Sequence, residues 1–378
     1  MRSCAAPDPG IIRLSSHRQS LGGQGGEYTV WKKLIVGLVA LSLALPLQGL
    51  GAQGGELRVW HTLDRDSTGI VADAVAEFGA SRGVPANAEM VEASLLLQAL
   101  LDLQKRGDPP PDLIFTSHDV AEPLLMNNLV VPTPSGGELF LFGLLEALPG
   151  LLEEACRDEP LDRCLWDGVS SALPLQRPDE KAVERTVAWL CDSAPGLPGC
   201  KGGELPAAPI VWSFQIALLN RQWLAERGLE PPQLLDDVLA LRSQYGLQVV
   251  RAERDFLPLP GNVAPDAIVA FPSTLLVERP QEALESLGAF FQADYAPVLS
   301  LGLYSLYRSA GSQQADLAAD FASATARNTP VKMALVESAG LLPALAPDDL
   351  REWGLDRPET RAVLGALAVL TSYAQSVY

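Results

Sequence analysis

From Glu56 onward the chain repeats a short apolar stretch, an amphipathic stretch and a breaker, and this alternation constrains the fold more than any other feature. Leu57-Arg58-Val59-Trp60 reads as a strand. Ser67 or Thr68 can cap a helix whose Ile70, Val71, Ala74, Val75 and Phe78 share one face of a 3.6-residue period, and Gly83 ends it. Asn87 to Val91 is a second strand, and Ser94 opens a Leu-rich helix to about Lys105. The breaker Gly107-Asp108-Pro109-Pro110-Pro111 precedes a third strand at Leu113-Ile114-Phe115. Such a β-α-β-α-β unit predicts an α/β protein with a mostly parallel sheet, helices on both faces, and ligand access at the carboxyl ends of the strands.

At 378 residues the chain is long enough for two domains or one large discontinuous one. Lys and Arg total 28 against 46 Asp and Glu, a formal charge of -18. A surface so acidic repels phosphate backbones, so no nucleic-acid partner is expected.

Residues 1–29 are rich in Gly, Ser and Arg and show no apolar periodicity, so they read as a disordered extension or a mis-annotated start. Lys32 and Lys33, the apolar run Leu34 to Leu47 and the small residues Gly49-Leu50-Gly51-Ala52 follow in the order of a secretory signal. The run is shorter than the roughly 20 residues that span a bilayer. Residues 30–52 are therefore expected to be a signal peptide cleaved after Ala52, with an uncleaved anchor as the competing reading. Translation from near Val30 would put the basic pair where a signal normally begins. The mature chain is expected across the inner membrane, in the periplasm or cell envelope.

Export changes the reading of the five cysteines. Cys4 precedes the signal, leaving Cys156, Cys164, Cys191 and Cys200, an even number for an oxidising compartment. Of the three possible pairings, Cys156 with Cys164 and Cys191 with Cys200 is favoured, since each pair brackets a short loop containing Pro or Gly. The intervening lengths are too long for a zinc ribbon, so no metal is expected.

Gly49-Leu50-Gly51-Ala52-Gln53-Gly54 matches a dinucleotide-binding pattern but straddles the predicted cleavage site and opens no helix, so no cofactor is expected. Neither a Gly-x-Ser-x-Gly elbow nor a His-Glu-x-x-His helix is present. Ser117-His118-Asp119 raises hydrolysis as an alternative, but neighbours at a strand end rarely point at one another. The chain is read as a non-enzyme.

Four stretches resemble extracellular solute-binding proteins of ABC sugar importers, with the maltose-binding protein family as the nearest type. They are Leu57 to Met90, the run 107–119 with Leu129-Val130-Val131-Pro132, Pro209-Ile210-Val211-Trp212-Ser213-Phe214 leading to Leu219-Asn220-Arg221 and then Pro231-Pro232, and Ser312 to Phe321 with Ala339-Gly340-Leu341-Leu342-Pro343-Ala344. The resemblance implies a two-lobed, periplasmic-binding-protein type II-like fold with hinge crossovers. The implied N-lobe is 53–209 plus 300–340, and the C-lobe, reduced in size, is 210–299 plus 341–378. It implies a monomer that captures a sugar or polyol between the lobes and delivers it to permease subunits in the membrane.

The resemblance also supplies the candidate site. Asp64 and Arg65 stand where the family has an Asp-Lys pair on sugar hydroxyls, and Asp119 stands at a sugar-binding Asp. Carboxylate and guanidinium suit this work because paired hydroxyls need a fixed acceptor and donor. Thr116, Trp212 and Ser213 complete the set, Thr116 replacing a family Trp and Ser213 a family acidic residue. Trp212 shares a strand face with Phe214 and either stacks a ligand or belongs to the core. The aromatic platform is thinned, which leaves a second reading: a degenerate scaffold serving as an envelope interaction or structural module.

Overall fold

A computed structural model describes residues 55–133, 140–157, 159–165, 177–193, 200, 207 and 209–377. The expected extension and signal, 1–52, lie outside them. The first strand, β1 (Leu57–His61), is followed by helix α1 (Arg65–Arg82), β2 (Ala86–Met90), α2 (Ala93–Arg106) and β3 (Leu113–Ser117). This is the predicted β-α-β-α-β unit, and β1 pairs in parallel with both β2 and β3. Asp64, not Ser67 or Thr68, caps α1: its Oδ1 accepts the Ser67 N–H at 2.9 Å and the Ser67 hydroxyl at 2.7 Å. Ionised oxygens accept such bonds more strongly than hydroxyls do, so the helix opens earlier than expected. Gly83 closes α1 with φ +68°. Gly79 admits no larger residue without movement, because an added Cβ would lie 2.5 Å from that of Ala86.

After α3 (His118–Met126) and β4 (Val130–Pro132) come three helices, α4 (Phe140–Ala155), α5 (Leu161–Leu165) and α6 (Glu180–Ser193). The chain then runs through β5 (Pro209–Asn220), α7 (Arg221–Ala225), α8 (Leu235–Tyr245), β6 (Gln248–Arg251) and β7 (Ala267–Pro272). It continues through α9 (Thr274–Glu278), α10 (Pro280–Gln292), β8 (Tyr295–Ser309), α11 (Ala315–Ala326) and α12 (Thr329–Ala339). A two-residue strand, β9 (Leu342–Pro343), leads to α13 (Pro347–Trp353) and α14 (Pro358–Val377).

Among the described residues nine strands form one sheet whose main order is β2-β1-β3-β8-β5-β7-β6. The expectation of a mostly parallel sheet is corrected in its middle. There β8 runs antiparallel to both β3 and β5, and β5 antiparallel to β7. The cause is length: β5 has 12 residues and β8 has 15, so each serves two neighbourhoods. The last residues of β8 pair with β3, while Tyr295 to Ser305 pair along β5. These two strands cross from one half of the sheet to the other.

Separate apolar clusters lie around the sheet. One packs Leu57, Val59, Val71 and Val75 against Phe321, Leu335 and Ala339 from α11 and α12. The largest joins Leu144, Leu145, Leu148, Leu151 and Leu152 of α4 to Trp212, Phe214 and Phe271 of the sheet and to Val363, Leu364 and Leu367 of α14. A helix apolar on every side must be enclosed, and Val363 to Leu370 of α14, apart from Gly365, are all buried apolar residues. Each fully buried Leu contributes about 1.5–3 kcal/mol. The disulfides Cys156–Cys164 and Cys191–Cys200 are present as expected, with Cα separations of 5.6 and 5.3 Å, and cross-link this same helical layer. Among the described residues no helix is long and apolar enough to cross a membrane.

Among the described residues Lys332 is a buried cation, 2% exposed. Its Nζ donates to the carbonyls of Ala326, at the end of α11, and Ala344, just past β9. Burial pulls its pKa down to about 8, with Asp349 opposing. This side chain therefore ties the segment after β9 to the helices that cover β1 and β3.

Candidate ligand-binding site

The carboxyl ends of β1 and β3 lie side by side, with His61 opposite Phe115. The loop after β1 carries Thr62 and Asp64, and the end of β3 carries Thr116, Ser117 and then the first turn of α3. β8 passes antiparallel to β3 here, placing Tyr304 opposite Ser117 on one side and opposite Val211 of β5 on the other. Ser213 of β5 faces Gly302 of β8, where an added Cβ would lie 2.7 Å from the Ser213 hydroxyl. The crossing strands thus bring residues far apart in sequence to the strand ends.

Three of the expected site residues have free polar groups here. Asp119 is exposed in the first turn of α3. Arg65 is exposed at the start of α1. Asp64 is exposed as well, with Oδ1 occupied by the cap and Oδ2 left over. Ser213 is half-buried and hydrogen-bonds Tyr304. Electrostatics group these residues: burial chiefly raises the Tyr304 pKa, and the charges of Asp119 and Asp64 raise it further, against the Ser213 hydrogen bond. Tyr304 accordingly remains a phenol and a potential donor.

Two expected residues are placed otherwise. Thr116 is fully buried and its hydroxyl is shared with Thr62 at 2.7 Å. Trp212 is 1% exposed, its ring 6.2 Å from that of Phe214 inside the largest core. Its alternation with Phe214 points both rings into the helical layer, so the core alternative describes Trp212 and no ligand stacks on it in this conformation. The hydrolytic alternative also loses its geometry, since His118 Nδ1 lies 3.3 Å from the Tyr307 hydroxyl and makes no described bond to Ser117 or Asp119. Burial, with a smaller push from Asp119, raises the Tyr307 pKa to about 12 against the Ser305 hydrogen bond.

Three further residues belong to the neighbourhood and escaped the sequence reading. His61 is fully buried, and neither ring nitrogen has a hydrogen-bond partner. Burial lowers its pKa, with the Asp64 charge opposing. Glu278, exposed at the end of α9, has its carboxyl pKa raised, first by partial desolvation; Arg254 opposes this and the charges of Asp64 and Asp66 add to it. Tyr304 is the third. Only its alternation along β8 was visible in sequence, and alternation does not say which strands flank it. A cavity of about 400 Å³ lies elsewhere, lined by Trp189, Arg221, Glu230, Pro231, Pro232 and Pro297 among others.

No family model matches the sequence, and no curated protein matches it. Solved structures do match. The maltose/maltodextrin-binding domain of Bdellovibrio bacteriovorus bound to maltotriose is similar at a TM-score of 0.41 and 12% identity, covering 85% of this chain and 88% of that one. A receptor from Streptomyces glaucescens, solved unliganded and with acarbose, is similar at 0.38 and 11% identity over 85% of this chain and 97% of the other. The maltotriose binding protein of Thermus thermophilus, bound with maltotriose, gives 0.37 and 13% identity over 82% and 85%.

Proposed function

We propose that this chain is an extracytoplasmic solute-binding protein that captures a sugar or similar polyol and hands it to an ABC-type permease. The observation that carries this reading is the set Asp64, Arg65, Asp119, Tyr304 and Ser213, gathered at the ends of β1 and β3 beside the crossing strands β5 and β8. Acceptors and donors alternate in that set, as paired hydroxyls require. Under this reading the two crossing strands act as the hinge, and closure is favoured by a ligand that touches both halves. Under this reading α4, α5 and α6, which the expected bounds put in the N-lobe, go with the second lobe instead, because their apolar faces share the core of α14. The chain binds without catalysing, as a monomer.

A second reading, a scaffold that has lost its ligand, draws on the burial of Thr116 and Trp212. Thermal unfolding with a millimolar panel of neutral and aminated mono- and disaccharides separates the two. A ligand at 100 times its Kd stabilises by about 2.7 kcal/mol, read as a shift of roughly a few degrees in a chain this long. A sugar-specific shift abolished by Asp119→Ala supports capture. A flat panel from the folded protein favours the scaffold.

A further inference from the structure

The cavity of about 400 Å³ beside Trp189 is built at the other end of the crossing strands. Asn220, the last residue of β5, pairs with Tyr295, and the next two residues of β8, Ala296 and Pro297, line the cavity. Seven residues of extended strand separate Ser213 from Asn220, ~23 Å at the usual rise, so this cavity is distinct from the strand-end site. Among the described strands, β8 pairs with β5 alone from Tyr295 to Leu303, which leaves its other edge open. Pro297 suits such an edge because it has no N–H to leave unpaired. Helix α6 packs against β8 and supplies Trp189.

The lining divides by chemistry. Trp189, Pro232 and Pro297 are buried, and with Pro231 they form walls that the fold holds in place. The polar side chains are Arg221, Glu230 and Gln233. Arg221 is fixed by Asp294, whose carbonyl accepts the Arg221 N–H at 3.1 Å and whose Oδ1 lies 3.4 Å from Nε. Asp294 stands at φ +58°, a left-handed conformation that Asp adopts more readily than most residues. That turn sets carbonyl and carboxylate together against Arg221. No hydrogen bond occupies the terminal nitrogens of Arg221 among the described residues. Glu230 is exposed and has neither hydrogen bond nor ion pair among them.

A free guanidinium fork and a free carboxylate thus border one apolar cavity. The fork matches a carboxylate with two parallel bonds, and the Glu230 carboxylate accepts from an ammonium. A neutral ligand would leave both charges unused, and a ligand of single charge would satisfy one and be repelled by the other. The volume lies near the lower end of the roughly 300–1,000 Å³ of small-molecule pockets, which suits a single small molecule. We infer that this cavity takes a zwitterion of the amino-acid class, with its carboxylate on Arg221, its ammonium on Glu230 and an apolar side chain against Trp189 and the prolines. The inference is independent of the capture reading above.

Isothermal titration of the purified, oxidised chain at pH 7 with phenylalanine, 3-phenylpropionate and phenethylamine tests it, since the three share a ring and chain and differ only in the charged groups. Phenylalanine is expected to bind roughly tenfold or more tightly than either analogue, and more weakly as salt screens the partly exposed charges. Arg221→Gln should remove the advantage over phenethylamine and Glu230→Gln the advantage over 3-phenylpropionate, with melting curves confirming that both variants fold. Asp119→Ala, at the strand-end site, should leave phenylalanine binding unchanged. Equal or tighter binding of either analogue by the parent chain overturns the zwitterion and needs no variant. Phenylalanine affinity that is unchanged in both Gln variants, or lost in Asp119→Ala, overturns the assigned place. No binding of any of the three at millimolar concentration overturns the site and leaves the capture reading standing.

Discussion

The strand-end region and the helical layer of α4, α5, α6 and α14 lie on one sheet but are built on opposite principles. In the helical layer nearly every side chain toward the core is apolar and buried, and two disulfides close it further. At the ends of β1 and β3, carboxylates remain exposed, a histidine is buried without partners, and a tyrosine is held as a phenol by its surroundings. The first arrangement gains stability from burial. The second leaves polar capacity unspent, which lowers stability locally and is what a ligand needs.

Truncating the helical core should have the largest effect. Leu367→Ala in α14, at a fully buried position, is expected to destabilise by about 2–5 kcal/mol in urea unfolding, by lost transfer energy plus a cavity. A cost below 1 kcal/mol would mean that the layer is looser than its packing indicates. Replacing both cysteines of either disulfide by Ser comes next, at roughly 2–3 kcal/mol each from loop-closure entropy. Thermal melts with and without reductant should show the loss of both bonds in the oxidised parent and of only the remaining one in each variant.

The strand-end region should respond more weakly and in a different way. Asp64→Ala removes the α1 cap and should cost about 1 kcal/mol, whereas Asp64→Asn keeps a capping oxygen and should cost a few tenths. Both should weaken ligand binding, so stability and binding separate in the Asn variant. If they fall together, Asp64 serves only the helix. The smallest effect is on pH dependence. Because burial lowers the His61 pKa from 6.5, the unfolded chain binds a proton there more readily than the folded one. Stability from the neutral ring is therefore complete above about pH 6.5 and falls on acidification below it. His61→Gln should flatten that part of a stability–pH curve, and an unchanged slope would show that the ring is solvated.

Local pattern carried much of the architecture. The strand at Leu57, the Leu-rich helix running to Arg106 and the breaker before the strand at Leu113 all appear where periodicity put them. Both disulfides follow from loops short enough to be closed by neighbours. The helix start at Arg65 was misplaced because Asp64, Ser67 and Thr68 are all competent caps, and only the bonds made distinguish them. The candidate site was legible in part. Asp64, Arg65 and Asp119 sit in loops and first turns, where a polar side chain stays outside whatever the fold.

Thr116, Trp212 and Tyr304 lie on strands buried on both sides, and there the sequence by itself determined only that the residues alternate. Which face meets a core and which meets an opening depends on the partner strands. The antiparallel passage of β8 between β3 and β5 supplied those partners from a segment about ninety residues further along than β5. Alternation is a property of one strand, but burial is a property of everything packed against it. That is why the strands and cross-links could be read from the chain, while the covering of Trp212 and the seat of Tyr304 between β3 and β5 were decided only by tertiary structure.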